Sequence, residues 1–271
     1  MPGDGFSSSA RPPRPCFTPH ETAGAARPDQ AMKTPEELQL EFHLTYACNL
    51  ACTCCNRASS FYPWHTPPFT LAWLTDRAFY LRDRMPNVDR IVALGGEPTV
   101  HPDCVAMCRV LRVAWPKADA IILSNEYSQE SRDIVEQLTG EGWRRDPVST
   151  AKPGGSVQHF QQAIYLSPED GGQARLPCRW QDQCGWSVDS AGLTSCAIGG
   201  MIDAVLGLGL RTWDTDKVKT RDDLKELCRH CGSLMDGVPF NGEILEFKGQ
   251  KVSRTWHERL VCLEKARTSR T

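Results

Sequence analysis

The chain has 271 residues, of which 40% are hydrophobic and 24% are charged, and its formal net charge is -2 at pH 7. This length and apolar content suffice for one large domain, or for one domain with a small appendage, and exclude disorder throughout. The near-neutral charge disfavours nucleic acid as a partner, and the sequence predicts no membrane association because no stretch has the length and apolarity of a membrane span.

The first 35 residues are rich in Pro, Arg, Ser and Gly and lack the apolar block of a secretory signal. They predict a disordered leader ahead of a cytoplasmic protein. The chain contains thirteen cysteines. Because cytoplasmic thiols stay reduced and disulfides seldom persist there, their grouping indicates metal or redox chemistry.

From residue 38 onward, predicted strands alternate with predicted helices. Apolar and polar residues alternate strictly from Leu38 to Thr45, which predicts a strand. Thr70 and Asp103 are predicted to cap two helices, and SQESRDIVEQLTG predicts a third. Further strands are predicted in RIVALGGEP, in ADAIILSN and, after residue 141, in FQQAIYLSP. This alternation predicts an α/β fold with a parallel sheet wound into a barrel or partial barrel.

Three cysteines, Cys48, Cys52 and Cys55, form the spacing CxxxCxxC directly after the first predicted strand. Three thiolates this close can bind three irons of a [4Fe–4S] cluster and leave the fourth iron open to a small molecule. The alternative is a zinc site with Cys54 as fourth ligand. Simultaneous ligation by the adjacent Cys54 and Cys55 would be strained.

This spacing, placed after the first strand of a βα fold, resembles the radical S-adenosylmethionine (radical SAM) superfamily. GGEP at the end of the second predicted strand is similar to the family's motif of the same letters, and LSN ends the third, where the family often places polar residues near the cofactor's ribose. The resemblance implies a partial (βα)6-type barrel with active-site residues at the carboxyl ends of its strands. The cofactor-binding residues that it implies are Gly95, Gly96, Glu97, Pro98, Ser124 and Asn125.

The chemistry implied by the resemblance is reductive cleavage of S-adenosylmethionine at a [4Fe–4S] cluster held by the three cysteines. It yields a 5′-deoxyadenosyl radical that abstracts a hydrogen atom, and it needs a reductant such as flavodoxin or ferredoxin. If the apolar face of the first strand packs on helices, Glu41, His43 and Thr45 face the barrel interior, where a small polar substrate would bind. The alternative for Glu41 and His43 is an internally paired or solvated strand face.

A second cysteine group lies beyond residue 175 and consists of Cys178, Cys184, Cys196, Cys228 and Cys231. WSVDSAGLTSC predicts a hairpin that delivers Cys196, and LCRHCG supplies a CxxC knuckle. The group resembles the SPASM or twitch module, which implies one auxiliary [4Fe–4S] cluster on Cys178, Cys196, Cys228 and Cys231. A structural zinc ribbon is the alternative.

One cysteine, Cys184, is then spare. It is a buried hydrophobe, an alternative ligand to Cys178, or a hydrogen-atom donor to a substrate radical. The predicted organisation is a leader (1–35), a radical SAM barrel (36–175), a twitch-like module (176–240) and a C-terminal extension (241–271).

The sequence thus predicts an oxidation or epimerisation of a sugar, an aminocyclitol or a similar molecule. Glu41, His43 and Cys184 are the candidate catalytic residues. The alternatives are radical modification of a peptide or of a nucleotide or nucleic-acid base, and a non-catalytic iron–sulfur or zinc protein.

Overall fold

The computed structural model of the protein describes residues 38–52, 55–59, 61, 69–146, 164–171, 185–232 and 240–268. Its main sheet has six strands: β1 (Gln39–Thr45), β2 (Arg90–Gly95), β3 (Asp119–Ile122), β4 (Arg144–Arg145), β5 (Trp186–Asp189) and β6 (Gly192–Thr194). The spatial order is β4-β3-β2-β1-β5-β6, parallel from β4 to β5, with β6 antiparallel to β5. The predicted α/β fold with a mostly parallel sheet is confirmed, whereas its closure into a partial barrel stays a prediction.

The helices connect and cover these strands. They are α1 (Leu71–Arg84), α2 (Cys104–Ala114), α3 (Gln129–Gly140), α4 (Gly199–Leu206), α5 (Thr215–Lys219), α6 (Asp223–Arg229) and α7 (Arg254–Thr268). A hairpin of β7 (Ile244–Phe247) and β8 (Gln250–Ser253) precedes α7. A membrane-spanning helix is absent from the described ranges, since none there is both long and apolar enough.

Helix α1 begins as predicted, because the Thr70 hydroxyl accepts a hydrogen bond from the backbone N–H of Trp73 at 3.2 Å. The prediction for α2 is wrong in one respect. Asp103 directly precedes this helix, but its side chain makes no capping hydrogen bond. Its backbone, at φ -96° and ψ 15°, is not extended as a capping residue's usually is.

The alternation along β1 sorts its side chains between the two faces of the sheet. Leu40, Phe42 and Leu44 are fully buried in a core that they share with α1 and α2. Glu41 and His43 point to the opposite face and are also buried, at 4% and 2% exposure. On β2 and β3 that second face carries a small apolar cluster of Val92, Leu94 and Ile121. This second face, here called the inner face, therefore combines polar side chains on β1 with apolar side chains on β2 and β3.

One predicted strand is absent from the described residues. Of the segment FQQAIYLSP, residues 160–163 lie outside the described ranges, and Ile164–Pro168 form a turn that enters a 3-10 helix at Pro168–Asp170. The carbonyls here bond elsewhere: that of Ile164 accepts from Gly232 N at 3.0 Å, and that of Tyr165 accepts from Ser253 N at 2.9 Å. These long-range bonds replace the ladder of a strand.

The predicted hairpin in WSVDSAGLTSC is confirmed as β5 and β6. Its first strand pairs with β1 in parallel, with Glu41 opposite Ser187. The main sheet therefore extends beyond residue 175. The division of the chain into domains stays a prediction.

Candidate metal and cofactor site

The three predicted motifs converge at one edge of the sheet. The cysteine loop, residues 48–55, follows β1; Gly96 and Glu97 follow β2; and Ser124 and Asn125 lie two and three residues beyond β3. Because β1, β2 and β3 are adjacent and parallel, their carboxyl ends lie side by side. Residues far apart in the sequence thereby come within hydrogen-bonding distance.

The two glycines are required by the backbone beside them. Gly95 has a φ of +151°, and a Cβ added there would lie 2.0 Å from the carbonyl oxygen of Thr45. A Cβ on Gly96 would lie 2.3 Å from the carbonyl oxygen of Ala47. These close approaches allow Gly96 N to donate to Thr45 O and Glu97 N to Ala47 O, both at 2.8 Å. The glycine pair thus seats the start of the cysteine loop against the end of β2.

The Glu97 carboxylate joins the end of β2 to the end of β3. It is fully buried, and one oxygen accepts from Thr99 N at 3.1 Å, from Thr99 Oγ1 at 2.6 Å and from Ser124 Oγ at 2.8 Å. The other accepts from Asn125 N at 2.6 Å. A buried carboxylate with this many donors is well compensated for lost hydration.

Asn125 continues this connection to the cysteine loop. Its side-chain amide donates to Asn49 Oδ1 at 2.7 Å and approaches Cys48 Sγ at 3.8 Å, and Leu50 N donates to the same sulfur at 3.4 Å. The pKa of the Cys48 thiol is raised to about 11, mainly because the thiol is buried. A bound cation would favour the thiolate instead, and both N–H groups would stabilise it.

The next residue, Glu126, keeps the turn after β3 in an uncommon conformation. It has a φ of +49°, in the left-handed region that non-glycine residues seldom adopt. Its carboxylate is buried and accepts two hydrogen bonds from the Arg145 guanidinium on β4. This bidentate pair fixes the turn that carries Asn125.

The end of β1 is also tied to β5. The hydroxyl of Tyr46, the residue after β1, donates to Asp189 Oδ2 at 3.1 Å. Arg211 donates to the same oxygen at 3.1 Å and to Asp203 Oδ2 at 2.6 Å. Burial raises the pKa of Asp189, although the Arg211 charge opposes that rise. The buried carboxylates of Asp189 and Asp203 thus share the Arg211 guanidinium as their ion-pair partner.

Three side chains that sequence analysis did not identify support the cysteine loop: Tyr165 and Gln250 from distant parts of the chain, and Arg57 from the segment directly after the loop. Tyr165 donates its hydroxyl to the carbonyl oxygen of Cys55, and Gln250 Nε2 donates to that of Cys52 at 3.5 Å. Arg57 donates to Ala197 O at 2.9 Å and to Glu41 Oε2 at 3.0 Å. Of the three, only Arg57 could have been found from the local sequence. It is a cation directly after the cysteine cluster, and the preceding strand carries a carboxylate, Glu41, that is predicted to face inward.

Two side chains on the inner face of β1, Glu41 and His43, have hydrogen-bond partners within the protein. Glu41 accepts from Arg57 and, at 2.8 Å, from Gln39 Nε2, so internal pairing, the alternative weighed for this residue, is present. His43 Nε2 lies 3.2 Å from Ala197 O, and its buried Nδ1 has no hydrogen-bond partner among the residues that the structure describes. Burial, followed by the Arg57 charge, lowers the pKa of His43 well below 6.5. These two causes favour the neutral imidazole form of His43. Catalytic roles for Glu41 and His43 stay predictions.

Of the second cysteine group, Cys196, Cys228 and Cys231 lie in or against one apolar core, together with Met201, Trp256 and their neighbours. The other two predicted members, Cys178 and Cys184, lie outside the described residues, as does Cys54. Ligation by this group, and the choice between Cys178 and Cys184, therefore stay predictions.

The cysteine loop has the donor groups that an iron–sulfur cluster requires, but its thiols do not point to one place. Within the described ranges, no three His, Cys, Asp or Glu side chains converge closely enough to hold a metal ion, so binding requires the thiols to turn toward a common point. The donor set fits: three thiols lie on one short loop, two N–H groups are directed at Cys48 Sγ, and the loop backbone is anchored at Cys52 and Cys55.

Comparison with known proteins gave structural likenesses only. No family model matches the chain, and no curated protein matches it. The chain is similar to BtrN in complex with AdoMet and 2-DOIA, at 16% identity over 73% of this chain and 94% of BtrN, with a TM-score of 0.43. It is also similar to Streptococcus suis SuiB bound to precursor peptide SuiA, at 18% identity over 36% of this chain and 21% of SuiB, with a TM-score of 0.29. At such low TM-scores neither likeness assigns the chain to a family.

Proposed function

We propose that the chain is a radical SAM enzyme that acts on a small polar substrate. The observation that supports this most strongly is the hydrogen-bonded path from Glu97 through Asn125 to Asn49 and Cys48. It joins three segments that each carry a sequence motif, at the sheet edge where parallel α/β folds carry active sites. A non-catalytic metal protein would need the cysteines but would not need this junction with the ends of β2 and β3.

In this proposal Cys48, Cys52 and Cys55 hold a [4Fe–4S] cluster, and the segment Gly95–Pro98 together with Ser124 and Asn125 binds S-adenosylmethionine. When bound, this pair supplies a 5′-deoxyadenosyl radical after reduction by a flavodoxin-like or ferredoxin-like partner. The protein's own residues position the thiols, support the cofactor-binding strand ends and exclude water from the inner face of the sheet.

The substrate would lie on the inner face beside β1, β2 and β3. Glu41, His43 and Arg57 supply polar groups there, and Val92 and Leu94 supply an apolar wall. The combination suits a sugar or aminocyclitol, whose ring carries both C–H and polar groups. Oxidation would use the second cysteine group for an auxiliary cluster, whereas epimerisation would use Cys184 as hydrogen-atom donor.

Matched cysteine variants test the cluster assignment. Cys55→Ala is expected to lose cluster iron and all cleavage of S-adenosylmethionine after anaerobic reconstitution, because the cluster is then one ligand short. Cys262→Ala is the control, since Cys262 is exposed on α7. Equal iron content and equal turnover in the two variants would contradict the assignment.

The substrate class is tested with deuterium. A panel of ring-deuterated sugars and aminocyclitols is supplied to the reconstituted enzyme, and 5′-deoxyadenosine is analysed by mass spectrometry. Deuterium in that product identifies the substrate class. Transfer only from peptides or nucleotides would instead support one of the alternatives.

A further inference from the structure

A buried pair of aromatic side chains lies between the two cysteine groups. Tyr165 and Trp256 are both fully buried, and their ring centroids are 5.2 Å apart with an interplanar angle of 63°. The Tyr165 hydroxyl donates to the carbonyl oxygen of Cys55, in the first group. One end of the pair is therefore hydrogen-bonded to a predicted cluster ligand.

The other end of the pair reaches the second group. Trp256 Nε1 donates to the carbonyl oxygen of His230 at 2.9 Å, and His230 lies between Cys228 and Cys231 in the sequence. Cys231 is buried in the same apolar core as both rings. The path from Cys55 to the CxxC knuckle thus consists of two hydrogen bonds and one ring contact, with no solvent-exposed side chain between.

We propose that Tyr165 and Trp256 form the electron route between the two cysteine groups. This inference rests on the proposed function, in that each group holds an iron–sulfur cluster. One electron passes from the reduced cluster at one group to the oxidised cluster at the other. No bond is formed or broken, no proton moves, and neither ring is itself oxidised. Close packing and hydrogen bonds favour the transfer because they shorten the through-space gaps that an electron must cross.

The polar atoms of the pair distinguish a route from ordinary core packing. Phe61 also contacts Tyr165, with ring centroids 5.1 Å apart, and contributes apolar surface alone. In contrast, the single polar group of Tyr165 and that of Trp256 each bond to a cysteine-bearing segment, at opposite ends of the pair. Such a route would give a substrate radical's surplus electron an exit from the active site.

Conservative variants test the route. Tyr165→Phe and Trp256→Phe each keep a buried ring and remove one hydrogen bond of the path. The control is Trp115→Phe, because Trp115 is buried likewise and donates Nε1 to Met85 O at 2.9 Å, but lies in the other core. The reconstituted proteins receive less than one equivalent of dithionite and are freeze-quenched at intervals. Electron paramagnetic resonance then follows the spin as it equilibrates between the two clusters.

The route predicts several-fold slower equilibration in Tyr165→Phe and Trp256→Phe, with iron content unchanged, and a wild-type rate in Trp115→Phe. Unchanged rates in both pathway variants would overturn the proposal, and so would loss of iron in both, because the pair would then be a structural support. A wild-type protein with a single cluster would overturn it as well. Two clusters without cleavage of S-adenosylmethionine would refute the proposed function alone, since the exchange rate is measured without that cofactor.

Discussion

Replacement of Glu97 by Gln tests whether one carboxylate joins the end of β2 to the end of β3. Among the described residues, one oxygen of Glu97 has three donors, and the other has only the N–H of Asn125. In Glu97→Gln the amide oxygen can serve the first set, but the amide NH2 then faces a backbone N–H. A charge-assisted bond is lost and a buried donor is stranded, so the free energy of unfolding should fall by about 2 to 4 kcal/mol.

The measurement is urea unfolding of the apo protein under reducing conditions, followed by tryptophan fluorescence. Glu246→Gln is the matched control, because Glu246 is exposed on β7, and its unfolding free energy should change by less than about 0.5 kcal/mol. A loss below about 1 kcal/mol in Glu97→Gln would refute the role assigned to this carboxylate.

Three further variants test other supports of the site by the same unfolding assay. Gly96→Ala places a Cβ 2.3 Å from a backbone oxygen that cannot move aside. It should lower the free energy of unfolding by about 3 kcal/mol or more. A loss under about 1 kcal/mol would show that the end of β2 relaxes around the added methyl group. Arg211→Met leaves Asp189 and Asp203 without their shared cation and should cost about 3 to 5 kcal/mol; a neutral result would contradict their pairing. Ser128→Ala removes the hydroxyl that accepts from the third N–H of α3 and should cost about 1 kcal/mol, with unchanged iron binding after reconstitution.

Local patterns in the sequence predicted the elements that carry the site. Alternation in β1 correctly separated core residues such as Phe42 from Glu41 and His43, since the period of a strand is set by its own backbone. Convergence of the strand-end motifs followed from parallel topology alone. Local patterns do not reveal pairing between distant residues. The apolar segment around Tyr165 therefore predicts a strand, although its carbonyls accept hydrogen bonds from Gly232 and Ser253.

The same limit explains which supports of the cysteine loop were missed. Tyr165 lies 110 residues from its partner Cys55, and Gln250 lies 198 residues from Cys52. Contacts between residues this far apart produce no periodicity or motif spacing that a single sequence could reveal. The C-terminal extension predicted for 241–271 contains the hairpin before α7, and Gln250 of that hairpin contacts the loop that carries the predicted ligands.

We propose that the junction of the cysteine loop with the ends of β2 and β3 serves radical chemistry. That proposal is tested by quantification of 5′-deoxyadenosine and methionine after the anaerobically reconstituted 271-residue chain is reduced with dithionite in the presence of S-adenosylmethionine. We expect both products in equal amounts, from protein that holds about eight irons per chain in two clusters. Protein that binds iron in full but forms no 5′-deoxyadenosine would contradict it.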